Sequence, residues 1–423
     1  MTKKHKFWLL GAFLLGTIQL SAKEMRLPLE LFNMLDSLKA GKDTTLNIVH
    51  LGDSHIQGGF FPGEVMRLLQ EEFGNAGRGW VAPYKLGKSN QPFDYAITSG
   101  TKEWVLGRCV QTRPKCPLGP GGMGIQTSAE SPDFLVKVST EKDSAYLFRK
   151  AILYRSEKSL PMLPAECQKD SVMLARARET VAPDVVADTF RIKELSDHLY
   201  LKSDPTLTPV VASGSDAPFE NRYYGFTLTN EKPGILYHTV GVNGARFVNY
   251  SSEAYVRQLA LLQPDLLILS MGTNETFEKR FLTEQFKTEV QGFLNLVKTY
   301  MPHTAILLTT PPECFKSVLI KKKKTYVRNV SSEYAAKALV DIARKEGIAC
   351  YDLFTESGGK GSGKSWFNQR LMAKDHVHFT RAGYEKQGRM LFDAIMNAYR
   401  NHHKNKPSEP VEEPNTNLSK ESH

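Results

Sequence analysis

Five residues in four short segments are of the types that acyl-transfer chemistry needs: Ser54, Gly244, Asn274, Asp375 and His378. A serine hydroxyl becomes a nucleophile when a histidine accepts its proton, and a carboxylate holds that histidine in the required tautomer. Asp375 and His378 are three residues apart, so one turn of chain can bring their side chains together. We therefore predict Ser54 as the nucleophile, His378 as the base and Asp375 as the orienting carboxylate.

Acyl transfer also needs hydrogen-bond donors for the oxyanion that forms in the transition state. We predict that these donors are the backbone N–H groups of Ser54 and Gly244 and the side-chain amide of Asn274. Each residue also has a plainer interpretation when it is taken alone. Ser54 could be a helix cap, Gly244 a loop glycine and Asn274 a turn-stabilising residue.

Two other histidines are rival bases, His376 and His55. His55 is adjacent to Ser54, so its side chain should diverge from the Ser54 hydroxyl. The sequence contains no cluster of Cys and His with the spacing of a metal site. We predict neither a metal nor an organic cofactor.

The elements around these residues alternate between strand and helix. Strands are predicted at 45–51, 265–270, 305–309 and 348–351, and helices at 24–41, 62–73, 252–262, 281–300, 332–346 and 381–399. This alternation predicts a parallel sheet with helices on both faces. Ligand sites in such sheets lie at the carboxyl ends of the strands, where Ser54 and Asn274 stand.

The segment from 92 to 236 differs from its flanks. It consists of short alternating stretches bounded by Gly, Pro, Asn and Asp, a pattern typical of a β-sandwich or jelly roll. We predict an insertion at 92–236 in an α/β domain made of 23–91 and 237–402. Trp80, Tyr84 and Trp104 could stack on sugar rings or could be core and rim residues.

In this order, and each beside a predicted strand, the four segments resemble the SGNH (GDSL-type) hydrolase family. The resemblance implies a flavodoxin-like three-layer α/β sandwich and assigns to the five residues the roles given above. Two departures are visible: His55 stands where many members have Leu, and Glu275 stands where many have Asp.

A narrower resemblance is to exported peptidoglycan O-acetylesterases, which carry an inserted jelly roll that resembles a carbohydrate-binding module. It rests on the stretches 52–57, 76–79, 234–237 and 241–245. It implies an exported serine esterase that removes O-acetyl groups from a glycan, with peptidoglycan as the expected substrate. A different carbohydrate esterase, a lipase or thioesterase, or a non-catalytic glycan-binding protein remains an alternative. The acyl group, the sugar and the oligomeric state stay open.

The N-terminus predicts export. Lys3, Lys4 and Lys6 precede an apolar stretch at 7–20, and Ser21-Ala22 supplies small residues. This is the pattern of a secretory signal peptide, predicted at 1–22, and it places the protein in the periplasm or outside the cell. A retained N-terminal anchor is the alternative, although the stretch is short for a membrane span. The polar segment 403–423 predicts a disordered tail.

The formal net charge is +10. A basic balance favours an acidic glycan or anionic headgroups as surroundings, or serves solubility. The run Lys321–Lys324 could contact an anionic polymer or form a solvated loop. Nucleic acid is not an expected partner, because no recognition-helix or zinc-finger pattern is present.

The five cysteines permit disulfides outside the cytoplasm. Cys109 and Cys116 could staple one loop, or Cys167 could pair with either of them. Cys314 and Cys350 follow apolar runs and are predicted to be buried thiols.

Overall fold

The structure is a computed structural model that describes residues 25–138, 146–169, 171–182, 184–203 and 220–404. The predicted signal peptide at 1–22 lies outside these residues, as does the predicted tail beyond residue 404. Within the described ranges, no helix is both long and apolar enough to cross a bilayer.

The strands contribute to one parallel and three antiparallel sheets. In chain order they are β1 (Thr45–Gly52), β2 (Asn75–Gly77), β3 (Gly79–Val81), β4 (Tyr95–Thr98), β5 (Val105–Arg108), β6 (Met123–Thr127), β7 (Asp133–Val138), β8 (Phe148–Ser156), β9 (Met162–Pro164), β10 (Val172–Ala182), β11 (Val185–Ser196), β12 (His198–Ser203), β13 (Asn221–Thr229), β14 (Gly234–Gly241), β15 (Leu266–Ser270), β16 (Ala305–Thr309), β17 (Phe315–Ile320), β18 (Lys323–Arg328) and β19 (Ala349–Tyr351).

The helices lie almost entirely outside the β-rich segment. In chain order they are α1 (Leu29–Lys39), α2 (Ser54–Gln57), α3 (Phe60–Phe73), α4 (Phe247–Tyr250), α5 (Glu253–Leu259), α6 (Thr283–Tyr300), α7 (Ser331–Glu346), α8 (Leu353–Glu356), α9 (Ser362–Asn368) and α10 (Arg381–Lys404). The first two residues of the predicted tail therefore continue α10.

A six-stranded parallel sheet forms the centre of the α/β part, in the order β19-β16-β15-β1-β14-β2. Its middle strands are apolar along most of their length, as expected for strands that are covered on both faces. Helices α1, α3 and α10 contribute to the core on one face, and α5, α6 and α7 to the core on the other. The predicted three-layer α/β fold with a parallel sheet is confirmed.

The register of this sheet brings three strand ends together. Gly52 at the end of β1 is paired with Gly241 at the end of β14 and with Ser270 at the end of β15. The segments that follow these strands therefore leave the sheet side by side. This alignment gathers the predicted site residues of three distant stretches at one edge.

The middle of the chain forms two antiparallel sheets. One contains β10-β11-β8-β13-β6-β5 with β3 paired to β13, and the other contains β4-β7-β12-β9. The sheets pack through aromatic side chains, for example Phe134, whose ring centroid lies 4.9 Å from that of Tyr223 and 6.0 Å from that of Phe226. β3 joins this sandwich although it precedes residue 92, while β14 begins in the parallel sheet before residue 237. The boundaries 91/92 and 236/237 stay a prediction.

A solvated loop was one prediction for the run Lys321–Lys324, and this run lies in a two-stranded antiparallel hairpin, β17–β18. Lys321 and Lys322 make its turn, and Lys323 and Lys324 belong to β18. The sequence did not predict these strands, because lysine is uncommon in strands and four lysines stand in a row here.

All five cysteines are free thiols in this structure. Cys109 and Cys116 are both buried, and the Cys116 thiol lies 3.1 Å from the carbonyl oxygen of Gly124. The suggested pairings among Cys109, Cys116 and Cys167 are therefore not formed. Cys314 is buried, as predicted, and Cys350 is half-buried.

Candidate active site

The turn after β1 sets the position of Ser54. Asp53 caps the short helix α2: its carboxylate accepts from the His55 N–H at 2.9 Å, and its backbone carbonyl accepts from Ile56 and Gln57. Ser54 is thus the first residue of α2, at the carboxyl edge of the parallel sheet. The predicted change from strand to helix at Ser54 is confirmed.

The structure brings Ser54, His378 and Asp375 into one hydrogen-bonded chain. The Ser54 Oγ lies 2.8 Å from His378 Nε2, and His378 Nδ1 lies 2.7 Å from Asp375 Oδ2. Ser54 and His378 are 324 residues apart in the sequence, so this contact exists only in the folded chain. The order of groups is the one that general-base activation of a serine requires.

Asp375 is held by its own loop. Its Oδ1 accepts from the backbone N–H groups of Val377 and His378, each at 2.9 Å. Burial tends to raise the pKa of Asp375, but the hydrogen bonds from the His378 side chain and from the two N–H groups outweigh it. The pKa of Asp375 is lowered as a result. The carboxylate therefore stays ionised while it orients the imidazole.

The rival base His376 points elsewhere. Its backbone is left-handed, with φ of 60°. Its ring stacks on that of Phe367 at 4.1 Å and lies 4.0 Å from that of Tyr326, centroid to centroid. The His376 ring therefore contacts aromatic side chains, whereas His378 contacts Ser54.

The second rival, His55, is buried behind His378. Its Nδ1 lies 2.9 Å from the Tyr384 hydroxyl, and its ring centroid is 5.1 Å from that of His378. Burial lowers the pKa of His55 to about 3. His55 is therefore a neutral packing partner of His378, and its side chain diverges from Ser54 as expected.

The turn after β14 carries Gly244. Gly244 has φ of 81°, and no atom lies within 4 Å of the position where a Cβ would be. The turn is tied to the end of β1, because Val242 N donates to the Gly52 carbonyl at 3.2 Å. Gly244 is therefore exposed beside the end of β1, close to the turn that carries Ser54. A backbone donor to the oxyanion is required in this position.

Asn274 also lies in the site, but its amide already has partners. Its Nδ2 donates to Asp53 Oδ2 and to the Ala245 carbonyl, both at 3.0 Å. One of these bonds has to be exchanged or shared before the amide can donate to an oxyanion. Burial raises the pKa of Asp53 to about 7, against the opposing effect of the His55 N–H. The oxyanion role of Asn274 stays a prediction.

Gln57 lies in the stretch 52–57, and no role in the site was predicted for it. Its Oε1 accepts from Asn243 N at 2.7 Å, and its Nε2 donates to Ser89 Oγ at 2.9 Å. This buried amide thus joins α2 to the glycine turn and to the loop before β4. The signal that could have found it is a polar residue on the buried side of the helix that starts at Ser54.

The departure at Glu275 also has a structural role. Glu275 is buried, and its Oε1 accepts from the Phe247 backbone N–H at 2.9 Å. Burial raises the pKa of Glu275 to about 8. The longer side chain thereby connects the segment after β15 to the segment after Gly244.

The aromatic residues suggested as sugar platforms are largely core residues. Trp80 and Tyr84 are buried, and the Tyr84 hydroxyl donates to the Gly241 carbonyl at 2.7 Å. Trp104 is half-buried and stacks on Phe134 at 5.3 Å. Trp80 and Tyr84 therefore have no face free for a sugar.

Within the part of the chain that the structure describes, no group of three or more His, Cys, Asp or Glu side chains could hold a metal ion. A cleft of about 730 Å³ lies at the opposite edge of the parallel sheet, lined by Lys42, Asn75 and Pro233 among others. It contains none of the predicted site residues. The hydrogen-bonded chain at Ser54, rather than cleft size, identifies the candidate site.

Comparisons with known proteins give a family match and a shared fold. Residues 211–386 match the model of the GDSL-like Lipase/Acylhydrolase family. A solved structure described as "Peptidoglycan O-acetylesterase in action, 5 min" is 22% identical and aligns with a TM-score of 0.67, covering 88% of this chain and 96% of that chain. At this level of identity, the alignment shows a shared fold. A comparison with curated protein sequences finds no match.

Two further solved structures align less closely. An aryl esterase of M. smegmatis is 15% identical, with a TM-score of 0.30 and coverage of 39% of this chain and 79% of that chain. A carbohydrate acetylesterase from Sinorhizobium meliloti is 13% identical, with a TM-score of 0.29 and coverage of 38% and 79%.

Proposed function

From the match of residues 211–386 to the GDSL-like lipase/acylhydrolase family, we propose that the chain is an exported O-acetylesterase that acts on peptidoglycan. The family match supports an esterase, and the shared fold is consistent with one. The export, the acetyl group and the polymer are our proposal. The observation that supports the ester chemistry is the hydrogen-bonded chain from Ser54 through His378 to Asp375.

The proposed reaction has two acyl transfers. The Ser54 oxygen attacks the ester carbonyl carbon while its proton passes to His378 Nε2. The oxyanion collapses, the bond to the sugar oxygen breaks, and the protonated His378 gives its proton to that oxygen. Asp375 stabilises the imidazolium between these steps. The products at this stage are a free sugar hydroxyl and acetyl-Ser54.

The second transfer restores the enzyme. A water molecule gives a proton to His378 and attacks acetyl-Ser54, and acetate leaves as Ser54 recovers its proton. The N–H groups of Ser54 and Gly244 and the Asn274 amide are the proposed donors to the oxyanion in both steps. Loss of one such donor typically costs about 100- to 1,000-fold in rate.

Two observations support a glycan ester over a lipid ester. The alignment with the peptidoglycan O-acetylesterase structure includes 88% of this chain, so it extends beyond the α/β part into the β-sandwich. In addition, Ser54 and His378 are only partly buried, and the Asp375 side chain is 53% exposed. An open site of this kind suits an acetyl group on a long polymer better than a buried acyl chain.

Acetate release from O-acetylated peptidoglycan, acetylxylan and a short-chain lipid ester tests the proposal. We expect the highest kcat/KM on peptidoglycan and no release by Ser54→Ala. Equal or faster release from acetylxylan or from the lipid ester would contradict the choice of substrate.

A fluorophosphonate probe separates the enzyme from a non-catalytic glycan-binding protein. We expect a covalent adduct on Ser54 in the native chain and none after Ser54→Ala. Absence of an adduct from the native chain would favour the binding protein.

A further inference from the structure

The hairpin β17–β18 combines charge and apolar surface in a way that the ester chemistry does not use. Residues 315–328 include Lys316, Lys321–Lys324 and Arg328 and contain no Asp or Glu. Arg328 pairs with Glu313 and Glu333 at the base of the hairpin. Among the described residues, none of the five lysines has an ion pair.

The tip of the hairpin is apolar as well as basic. Leu319 is 77% exposed and Ile320 50% exposed, directly before the turn. Each is the cross-strand partner of a lysine, Lys324 and Lys323 respectively. Nearer the base of the hairpin, Val327 and Phe277 are also exposed, and the Lys316 ammonium lies 5.7 Å from the centre of the Phe277 ring.

The turn itself is made by residues that do not favour it. Lys321 and Lys322 have φ of 50° and 63°, both in the left-handed region. Two-residue turns with positive φ at both positions favour Asn-Gly, because a Cβ is disfavoured there. Two lysines at these positions place charge at the tip at a conformational cost, a pattern that fits a functional requirement for that charge.

The base of the hairpin is rigidly attached. Phe315 N donates to the His376 carbonyl at 2.9 Å, and the centroid of the Tyr326 ring lies 4.0 Å from that of His376. The base of the hairpin therefore contacts the loop that carries Asp375 and His378.

We propose that the β17–β18 hairpin docks the protein on an anionic phospholipid surface. Lysines close to such a surface gain from its negative potential, and aliphatic side chains gain by entering the interfacial region. An anionic polysaccharide would account for the lysines alone, because sugar rings are bound by aromatic faces and hydrogen bonds rather than by Leu319 and Ile320. An anionic phospholipid surface accounts for both the lysines and the exposed apolar side chains of the tip.

Vesicle sedimentation of the full chain tests this inference. The probes are vesicles of phosphatidylcholine with and without phosphatidylglycerol. We expect binding to depend on phosphatidylglycerol and to weaken as salt increases. Lys322→Glu/Lys323→Glu should lower the partition coefficient by about tenfold or more. Leu319→Ser/Ile320→Ser should also lower it.

A matched control reverses two exposed lysines in the β-sandwich, Lys102→Glu/Lys115→Glu, which changes the net charge equally. This control should bind vesicles as the native chain does. The N-terminal apolar stretch is common to all variants, so differences among them report on the hairpin. Hydrolysis of p-nitrophenyl acetate checks folding and should be unchanged in all three variants.

Equal vesicle binding by the native chain and the Lys322→Glu/Lys323→Glu variant would overturn the inference. If that variant also co-sedimented less with insoluble peptidoglycan, the hairpin would be reassigned to the polymer.

Discussion

Two hydrogen-bonded Ser–His pairs lie at the parallel sheet. Their Ser–His distances are nearly equal, but the burial of the histidine and the partner of its other ring nitrogen differ. Ser54 Oγ lies 2.8 Å from His378 Nε2, and Ser270 Oγ lies 2.7 Å from His50 Nε2. The other ring nitrogen of His378 meets the Asp375 carboxylate, whereas that of His50 meets the Tyr237 hydroxyl at 2.8 Å. His378 is partly exposed, and His50 is fully buried.

The reactivity of such a pair depends on the group that meets the other ring nitrogen of the histidine. A carboxylate stabilises the imidazolium that forms when the serine loses its proton, and a phenol does so far less. Ser270 is further occupied by a hydrogen bond from Thr309 Oγ1 at 2.7 Å. The Ser270–His50 pair is therefore a structural link between neighbouring strands, and a short Ser–His distance alone does not identify a nucleophile.

Removing each serine in turn should give the largest contrast. We expect Ser54→Ala to lower kcat for p-nitrophenyl acetate by about 10⁴-fold or more, because no other group can form the acyl-enzyme. Ser270→Ala should retain most of the activity but lower the free energy of unfolding by about 1–3 kcal/mol, since His50 and Thr309 lose a buried partner. Comparable loss of kcat in both variants would show that the two pairs are not distinct.

Removing each orienting group should give the next largest effect. We expect Asp375→Asn to lower kcat by about 10³- to 10⁴-fold, because an amide cannot stabilise the imidazolium and favours the wrong tautomer. Tyr237→Phe is the matched change at His50. It should lower the midpoint of thermal unfolding and leave kcat close to that of the native chain. An Asp375→Asn variant with near-native kcat would remove Asp375 from the mechanism.

The two histidine sites should also differ in how they link stability to pH. Burial lowers the pKa of His50 to about 3, while an unfolded histidine titrates near 6.5. Between these values the unfolded chain binds a proton that the folded chain does not, so stability falls as the pH falls below about 6.5.

A His50→Gln variant keeps hydrogen-bonding capacity without this proton. Its free energy of unfolding, measured by urea denaturation, should fall less than that of the native chain between about pH 7 and pH 5, by about 2 kcal/mol. Parallel pH dependence in both proteins would mean that His50 does not titrate from a buried neutral state.

Part of the site and part of the fold could be predicted from the sequence. Ser54, Asp375 and His378 were found because the chemistry restricts the residue types and places the carboxylate three residues before the base. Four strands of the parallel sheet, β1, β15, β16 and β19, were predicted because buried parallel strands are continuous apolar runs. The sequence did not place β2 and β14 in this sheet. Both signals are local in the sequence.

The rest depends on contacts between distant residues. Asn274 and Asp53 are 221 positions apart, so the bond that occupies the Asn274 amide has no local signature. Trp80 is buried partly by packing against Tyr154 on β8, and the centroids of the two rings are 5.6 Å apart. Likewise, His50 was not singled out, since a histidine inside an apolar strand gives no sign of its partners on β14 and β15.

His55 combines features of both sites and supplies the smallest expected effect. It follows Ser54 directly, yet it is buried like His50 and bonded to a phenol, that of Tyr384. A His55→Leu substitution keeps an apolar contact with the His378 ring and removes only the polar atoms.

We expect His55→Leu to lower kcat/KM for p-nitrophenyl acetate by no more than about tenfold, through a less well-fixed His378 ring. Tyr384→Phe should reproduce part of this loss, because it removes the hydrogen bond that orients His55. If His55→Leu instead lost as much activity as Ser54→Ala, His55 would have to be the base, and the assignment of His378 from its 2.8 Å contact with Ser54 would be wrong.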